Sequence, residues 1–380
     1  MQTYDFDVLV IGAGAVGLAI GRAAALTGRS VVVVERHAAF GTETSSRNSE
    51  VIHSGLYYPA GSMKSNMCLK GNEKLYAYCK ARGIDHQRCE KLVVATTGAE
   101  QVRLLELYNN GCKVGVDGLR LLSGDEAREL EPEVSCEAAL QVPSTGIFDS
   151  HAFMLALLGD LETAGGQLVC NTEFVRAEKL PTAGFVATLI GPESFELSAK
   201  CLVNSAGLAA INVRQNIAGT LTNEEIVPRY AKGSYFKLNR RAPFSRLVYP
   251  IPGVHGLGVH FTRDLAGAGR FGPDVEWITH PDHQVTDDRI ASFVDAIRSY
   301  WKNIEPQDLS VDYAGVRPKY ELDGKTGTDF RIDAFTPNGK AELINLIGIE
   351  SPGLTSALEI ADYLFADALS GKHVYDSSTP

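Results

Sequence analysis

Residues 5–35 open Asp5-Phe-Asp-Val-Leu-Val10, turn through Ile11-Gly12-Ala13-Gly14-Ala15-Val16-Gly17, and end Val31-Val-Val-Val34-Glu35. The first run predicts a buried strand and the second a tight glycine turn. A small-residue helix follows to about Gly28, and Val31 to Val34 predicts a second buried strand. This is a βαβ dinucleotide fingerprint with every part present. Gly12 permits the turn, Gly14 lets the backbone approach a pyrophosphate, and Gly17 lets helix and strand pack closely. The free N–H groups and positive end of the helix face the phosphates. Glu35 suits a ribose diol and repels a 2′-phosphate, so NADP is disfavoured while FAD and NAD both remain.

A chain of 380 residues is too long for one small core, and two domains are expected. The formal charge of −10 argues against nucleic acid as a general partner. It leaves room for an anionic small molecule in a local basic pocket. Seven cysteines are scattered without a CxxC or zinc-like spacing, which reads as free thiols in a reducing compartment. No apolar run approaches the ~20 residues of a membrane span. The first strand starts too near Met1 for a cleaved leader, so a cytoplasmic location is expected. A peripheral contact with a membrane would leave no trace in these patterns.

Further along, Ser62 to Arg82, Glu100 to Asn110, Gly124 to Leu130 and Asp287 to Lys302 predict helices. Gly184 to Ile190 and Glu193 to Ala199 predict a hairpin, and Lys200 to Gly207 a strand ending on a glycine turn. Leu343 to Ile349 predicts a strand and Gly353 to Leu369 a helix. Dinucleotide-type elements thus recur at the start, middle and end of the chain. The expected fold is mixed α/β. A Rossmann-like nucleotide domain is assembled from residues 1–82, 148–211 and 331–371. An interleaved substrate domain on a mixed or antiparallel sheet takes residues 83–147 and 212–330, and residues 372–380 form a tail.

Several blocks carry a resemblance: Ser45-Ser46-Arg47-Asn48-Ser49, Val51-Ile52-His53-Ser54-Gly55-Leu56-Tyr57-Tyr58-Pro59, Cys68-Leu69-Lys70-Gly71-Asn72, Leu247-Val248-Tyr249-Pro250-Ile251-Pro252, Leu257-Gly258-Val259-His260-Phe261-Thr262-Arg263 and Ala314-Gly315-Val316-Arg317. The run Ser45 to Ser49 with Val51 to Gly55 is similar to the flavin-contacting loop of glycerol-3-phosphate dehydrogenases. From Asn48 on the blocks, in this order, more completely resemble the L-2-hydroxyglutarate dehydrogenases and oxidases, within the D-amino-acid-oxidase-like FAD-dependent oxidoreductases. The resemblance covers nearly the whole chain. It implies non-covalent FAD and oxidation of a 2-hydroxy acid, L-2-hydroxyglutarate to 2-oxoglutarate, by hydride transfer to flavin N5. It also implies an electron acceptor, which is a quinone, an electron-transfer flavoprotein or oxygen. For the cofactor it implies Gly12, Gly14, Ala15, Val16, Gly17, Glu35 and Arg36, then Ser45, Ser46, Arg47 and Asn48 along the path to the flavin. Phe174 is implied beside adenine, Ala206 and Gly207 at a strand end, and Gly353, Leu354 and Thr355 at a helix start facing the flavin.

The chemistry needs a base for the hydroxyl proton and a cation for carboxylate. His53 and His260 lie in the resembling blocks, and imidazole is the side chain whose ordinary pKa lies near working pH. Arg317 is the preferred carboxylate clamp, because a guanidinium binds both oxygens at once. Arg263 and Lys232 are weaker candidates that suit surface ion pairs equally well. Tyr58 and Tyr249 are candidates for closing the pocket or donating to a carboxylate. Another 2-hydroxy acid, glycerol 3-phosphate or an amino acid fits the same chemistry, and a flavin-binding partner without turnover is the reading from another class.

Overall fold

The computed structural model describes residues 4–219, 224–251, 258–337 and 342–365. The expected tail at 372–380 lies outside them. The chain divides into two compact units, residues 1–46, 150–230 and 317–380 in the first and 47–149 and 231–316 in the second.

The first unit is built on parallel strands. β1 (Phe6–Ile11) lies between β2 (Val31–Val34) and the strand Ser194–Asn204, parallel to both. Gln167–Val169 extends the sheet beyond β2, and Leu343–Ile347 runs parallel to the end of Ser194–Asn204. The four valines of β2 and residues Val8 to Ile11 of β1 are buried, the continuous apolar run of a sheet covered on both faces. Helix α1 (Ala15–Leu26) packs against the helices Ser150–Thr163 and Gly353–Tyr363. The hairpin predicted at 184–199 is present, but its second strand does not stop. Ser194–Asn204 pairs antiparallel with Phe185–Ile190 up to Ala199 and parallel with β1 from Ala199 onward. One strand serves two partners because Leu197, Ala199, Cys201 and Val203 keep one face buried throughout, with Ser198 and Lys200 on the other.

The second unit holds the other large sheet. Its strands run in the order Leu309–Leu322, Ile226–Leu238, Gly269–Phe271, Phe261–Arg263, Leu247–Pro250, Lys91–Ala95, Ala138–Val142 and Arg120–Ser123. Two long strands, Ile226–Leu238 and Leu309–Leu322, carry the chain across the unit boundary. Period-2 alternation separates the faces. Leu92 and Val94 pack with Phe293, Val294, Ile297 and Trp301. Val93 and Ala95 pack on the opposite face with Leu56 and Leu104. The helix Met63–Arg82 is capped by Ser62, whose side chain accepts from Ser65 N–H, and ends on Gly83. Residues 47–82, grouped by sequence with the nucleotide segments, belong to this unit, because Leu56, Tyr57 and Leu69 pack into the Val93 cluster. Residues 212–219, 224–230 and 317–330 fall in the first unit instead. The helix expected over 287–302 starts as a 3₁₀ turn and is α-helical over Ile290–Arg298.

Candidate active site

The glycine turn sits where β1 ends. Gly12 has φ of +97°, and a Cβ there would meet the Ser205 carbonyl at 2.6 Å. A Cβ on Gly17 would meet the Gly12 carbonyl at 2.0 Å, so the turn and the helix close on each other only with glycine present. Ala13, Ala15 and Gly17 are buried while Gly12, Gly14 and Val16 are partly exposed, which leaves the open side of the turn lined by backbone. Helix α1 has no side-chain cap and no acid in its first turn. The Ser45 hydroxyl accepts from Ala15 N–H at 3.0 Å. A helix start whose N-cap is glycine and whose first N–H meets only a hydroxyl, beside a backbone-lined turn, suits a pyrophosphate.

Glu35 is buried and already committed on one edge. Its carboxylate accepts from Ala13 N–H at 2.9 Å and from His37 N–H at 3.0 Å. It therefore braces the turn, and a carboxylate's remaining lone pairs stay open to a ribose. Arg36 pairs with Glu43. Its neighbour His37 lies 2.9 Å from the same carboxylate. The Glu35 carbonyl also accepts from Thr172 N–H at 2.8 Å, bringing the start of the strand Glu173–Lys179 beside it. The Phe174 side chain is buried in the apolar core of the first unit.

At the neighbouring strand end, Gly207 has φ of +54° and opens a 3₁₀ turn, with Ala206 N–H donating to the Asn204 side chain at 3.3 Å. Asn204 in turn donates to Asn345 at 2.8 Å, tying two parallel strands together at their ends. Neither asparagine is suggested by the sequence reading. The helix Gly353–Tyr363 likewise begins without a side-chain cap or an acid. Gly353 and Thr355 are buried and Leu354 partly so. Arg317, half-buried, has no carboxylate partner among the described residues.

The polar run at 45–48 is split. Ser45 and Ser46 belong to the first unit, Arg47 and Asn48 to the second. Ser46 hydrogen-bonds back to the Glu43 carbonyl. Asn48 accepts from Glu50 N–H at 2.7 Å through its side chain, and its carbonyl takes the Tyr313 hydroxyl. Ser49 and Tyr235 share a hydrogen bond of 2.7 Å, and Tyr235 stacks on Tyr313. A Cβ on Gly315 would meet the Arg47 carbonyl at 2.2 Å. The loop is thus held on the sheet by two tyrosines and one glycine that its own sequence does not reveal.

The second unit also assembles the histidines. Tyr249 and His260 stack with ring centroids 3.6 Å apart and planes 8° apart. They come from facing strand regions joined by the antiparallel pair Val248 and Phe261. His53 follows the short strand Val51–Ile52, and its carbonyl is held by the Asn72 amide at 2.9 Å. Burial, with the Lys91 ammonium second, pulls the His53 imidazole down to about 3, so it is neutral through the working pH range. Tyr58 sits at a turn whose carbonyls, those of Leu56 and Tyr58, both accept from Asn110 at 2.9 Å. The weaker cations are spoken for. Lys232 pairs with Asp282 at 2.6 Å, and Arg263 donates to the Ser245 carbonyl at 2.9 Å.

Lys91 goes unnoticed in the sequence. It is completely buried, with its ammonium 4.5 Å from the Tyr57 ring centre and 5.0 Å from that of Tyr249. The only available signal is a lysine heading an otherwise apolar strand, Lys91-Leu-Val-Val-Ala95.

Among the described residues no helix is long and apolar enough to cross a membrane. The family described as FAD dependent oxidoreductase matches residues 7–366. An L-2-hydroxyglutarate dehydrogenase, mitochondrial, of Arabidopsis thaliana is 39% identical, over 94% of this chain and 82% of its own. An L-2-hydroxyglutarate dehydrogenase of Indibacter alkaliphilus is 30% identical, over 94% of this chain and 97% of its own. Among solved structures, the L-alpha-glycerophosphate oxidase of Mycoplasma pneumoniae with FAD bound shares the fold with a TM-score of 0.85. It is 22% identical and covers 99% of this chain and 100% of its own.

Proposed function

Because this chain belongs to the FAD dependent oxidoreductase family, and within it to the L-2-hydroxyglutarate dehydrogenases, we propose that it oxidises L-2-hydroxyglutarate to 2-oxoglutarate. The observation that carries this reading is similarity to a relative of that name along almost the whole chain, 94% of it. The cofactor is FAD, and the chain's own geometry fits it: a glycine turn that a Cβ would fill and two helix starts without caps. When bound, FAD supplies the acceptor for the hydride that leaves the substrate carbon.

The chain's own residues take the other tasks. Gly12, Gly14, Ala15, Val16 and Gly17 present backbone to the pyrophosphate, and Ser45 adds a hydroxyl. Glu35 takes the ribose with Arg36 beside it, the Phe174 backbone meets adenine, Ser46, Arg47 and Asn48 take the path to the flavin, and Ala206 and Gly207 take the cofactor at their strand end. The helix start at Gly353, Leu354 and Thr355 turns its positive end to developing negative charge, the Gly353 N–H itself being given to the Glu350 carbonyl. His53 or His260 accepts the hydroxyl proton. His53 is already neutral, held so by burial and Lys91, which fits an acceptor though it makes a weak base. Arg317, with no carboxylate partner among the described residues, holds a substrate carboxylate as a bidentate fork. Tyr58 and Tyr249 shape the substrate side. A quinone, an electron-transfer flavoprotein or oxygen then takes the electrons, and a cytoplasmic location goes with this reading.

Steady-state turnover of a substrate panel with an artificial electron acceptor tests the proposal. L-2-hydroxyglutarate is expected to give the highest kcat/KM. Preference for glycerol 3-phosphate, an amino acid or another 2-hydroxy acid would redirect the assignment, and no turnover at all would favour a flavin-binding partner. Replacing the artificial acceptor by a quinone analogue or by oxygen then identifies the acceptor class.

A further inference from the structure

Among the buried donors of the second unit that lack an acceptor among the described residues, two stand beside each other. The Lys91 ammonium and the Tyr57 hydroxyl are both buried and make no hydrogen bond among the described residues. They are neighbours, the ammonium lying 4.5 Å from the centre of the Tyr57 ring. Lysine is almost never fully buried unless paired, and an unsatisfied buried donor in a native protein calls for an explanation. The surrounding groups offer none. Those facing Lys91 are His53, Tyr57, Cys68 and Tyr249. Burial pushes the Cys68 thiol up to about 12, and the Tyr57 and Tyr249 phenols above their ordinary value, so none is an anion at working pH. The ring faces attract the ammonium but accept none of its three N–H bonds in the way an oxygen does.

Other cations of the unit contrast with it. Arg246 pairs with Glu90 at 3.0 Å and Glu131 at 3.2 Å, Arg270 with Asp312 at 2.5 Å, and Arg289 with Asp274 at 2.9 Å. Lys91 is a buried cation with no counter-charge among the described residues. Its strand register explains the aim. It shares a face with Val93 and Ala95, towards Leu56 and Tyr57, and opposes Leu92 and Val94, which face the Trp301 core.

We propose that Lys91, with the Tyr57 hydroxyl as second donor, receives the distal carboxylate of the substrate and makes the enzyme selective for a dicarboxylate over a monocarboxylate 2-hydroxy acid. This rests on the substrate reading above. A carboxylate supplies what the pair lacks: a negative charge and acceptors for both donors. Tyr57 is partly exposed while Lys91 is fully buried, so the tyrosine is the outer member of the pair. Burial draws the ammonium down to about 7, so the charge is present below that pH and lost as pH rises through it. Affinity for the dianion therefore falls above pH 7.

The test uses the FAD-loaded enzyme, wild type against Lys91→Met, Lys91→Arg and Tyr57→Phe. L-2-hydroxyglutarate is compared with L-2-hydroxyvalerate, which has the same carbon chain without the distal carboxylate. Lys91→Met is expected to raise KM for the dianion about 10–150-fold, the worth of a charged hydrogen bond. It should raise the dianion's KM far more than that of L-2-hydroxyvalerate, which shares only the effect of Lys91 on His53, and Lys91→Arg should restore part of the loss. Tyr57→Phe should raise KM for the dianion about tenfold, the worth of one ordinary hydrogen bond. The wild-type KM for the dianion should climb through pH 7 and that of Lys91→Met should not. An unchanged ratio between the two substrates in Lys91→Met overturns the proposal. Titration with glutarate, an unreactive dianion, followed by the flavin spectrum, keeps the two readings apart. If the wild type ignores L-2-hydroxyglutarate, the substrate reading falls, and equal glutarate affinity in wild type and Lys91→Met then sinks the role of Lys91 as well.

Discussion

In the glycine turn of the first unit, backbone meets backbone: a Cβ on Gly17 would come within 2.0 Å of the Gly12 carbonyl, and Glu35 ties the turn down from 22 residues away. In the cluster of the second unit, side chains meet side chains. His53, Tyr57, Lys91, Tyr249 and His260 come from four separate stretches, and two of their buried donors stay unsatisfied. The first region is complete in itself, closed by its own backbone and by Glu35. The second is incomplete without an anion and is set by which side chains surround it. Substitutions should therefore act differently in the two, all-or-none on cofactor in the turn and graded on rate or selectivity in the cluster.

The sharpest break of that contrast is Gly14→Val. Its Cβ meets the Ser45 hydroxyl at 2.9 Å, and the branched methyls extend into the space a pyrophosphate needs. Purified variant should retain its circular dichroism but lose the flavin band near ~450 nm, a general flavin property, because the close backbone approach is gone. Full FAD content in this variant would mean that the turn does not hold the cofactor.

Next in size is the base. Flavin reduction followed by stopped flow should slow about 10²–10⁴-fold in whichever of His53→Ala and His260→Ala removes it, with FAD still bound. The pH profile separates the two. With His53 held neutral down to about 3, a His53 base gives no rising limb between pH 5 and 8. A rising limb there that His260→Ala abolishes passes the role to His260. Wild-type rates in both variants would leave neither as the base.

A smaller loss is expected at Arg317. Arg317→Ala should cost about 2–5 kcal/mol in kcat/KM, part of it the carboxylate left unpaired, and Arg317→Lys should recover little, since lysine lacks the planar fork. A variant as active as wild type moves the clamp elsewhere.

The smallest effect is one of stability, and its sign is opposite. The Lys91 ammonium is lowered from 10.5 to about 7 on folding. Between those values the unfolded chain binds more protons than the folded one, so this group makes stability rise with pH there. Its cost is fully present below pH 7 and relieved above 10.5. At about 1.4 kcal/mol per pKa unit the cost does not exceed ~5 kcal/mol. Lys91→Met should therefore raise Tm at pH 6, by about 2–4 °C for each kcal/mol recovered, and flatten the pH dependence. A lower Tm would show that the lysine is satisfied in a way the side-chain contacts do not reveal.

The sequence by itself determined the βαβ unit of residues 6–34 and its glycine turn. Gly12 to Gly17 and Glu35 are legible because their roles depend on backbone freedom, close approach and helix polarity, all set within about one βαβ unit. The uncapped start at Gly353 is legible for the same local reason. Tertiary structure alone decided that Glu35 braces the turn, that 47–82 joins the second unit, and that Tyr235, Tyr313 and Gly315 hold the loop at Asn48. It alone decided that Lys91 lies beneath Tyr57 and Tyr249. In the sequence Lys91 and Tyr249 stand 158 positions apart, and only the parallel pairing of Lys91–Ala95 with Leu247–Pro250 brings them side by side. A lysine's burial and the absence of its counter-charge are properties of that pairing and of everything packed around it, and no local pattern of residues encodes them.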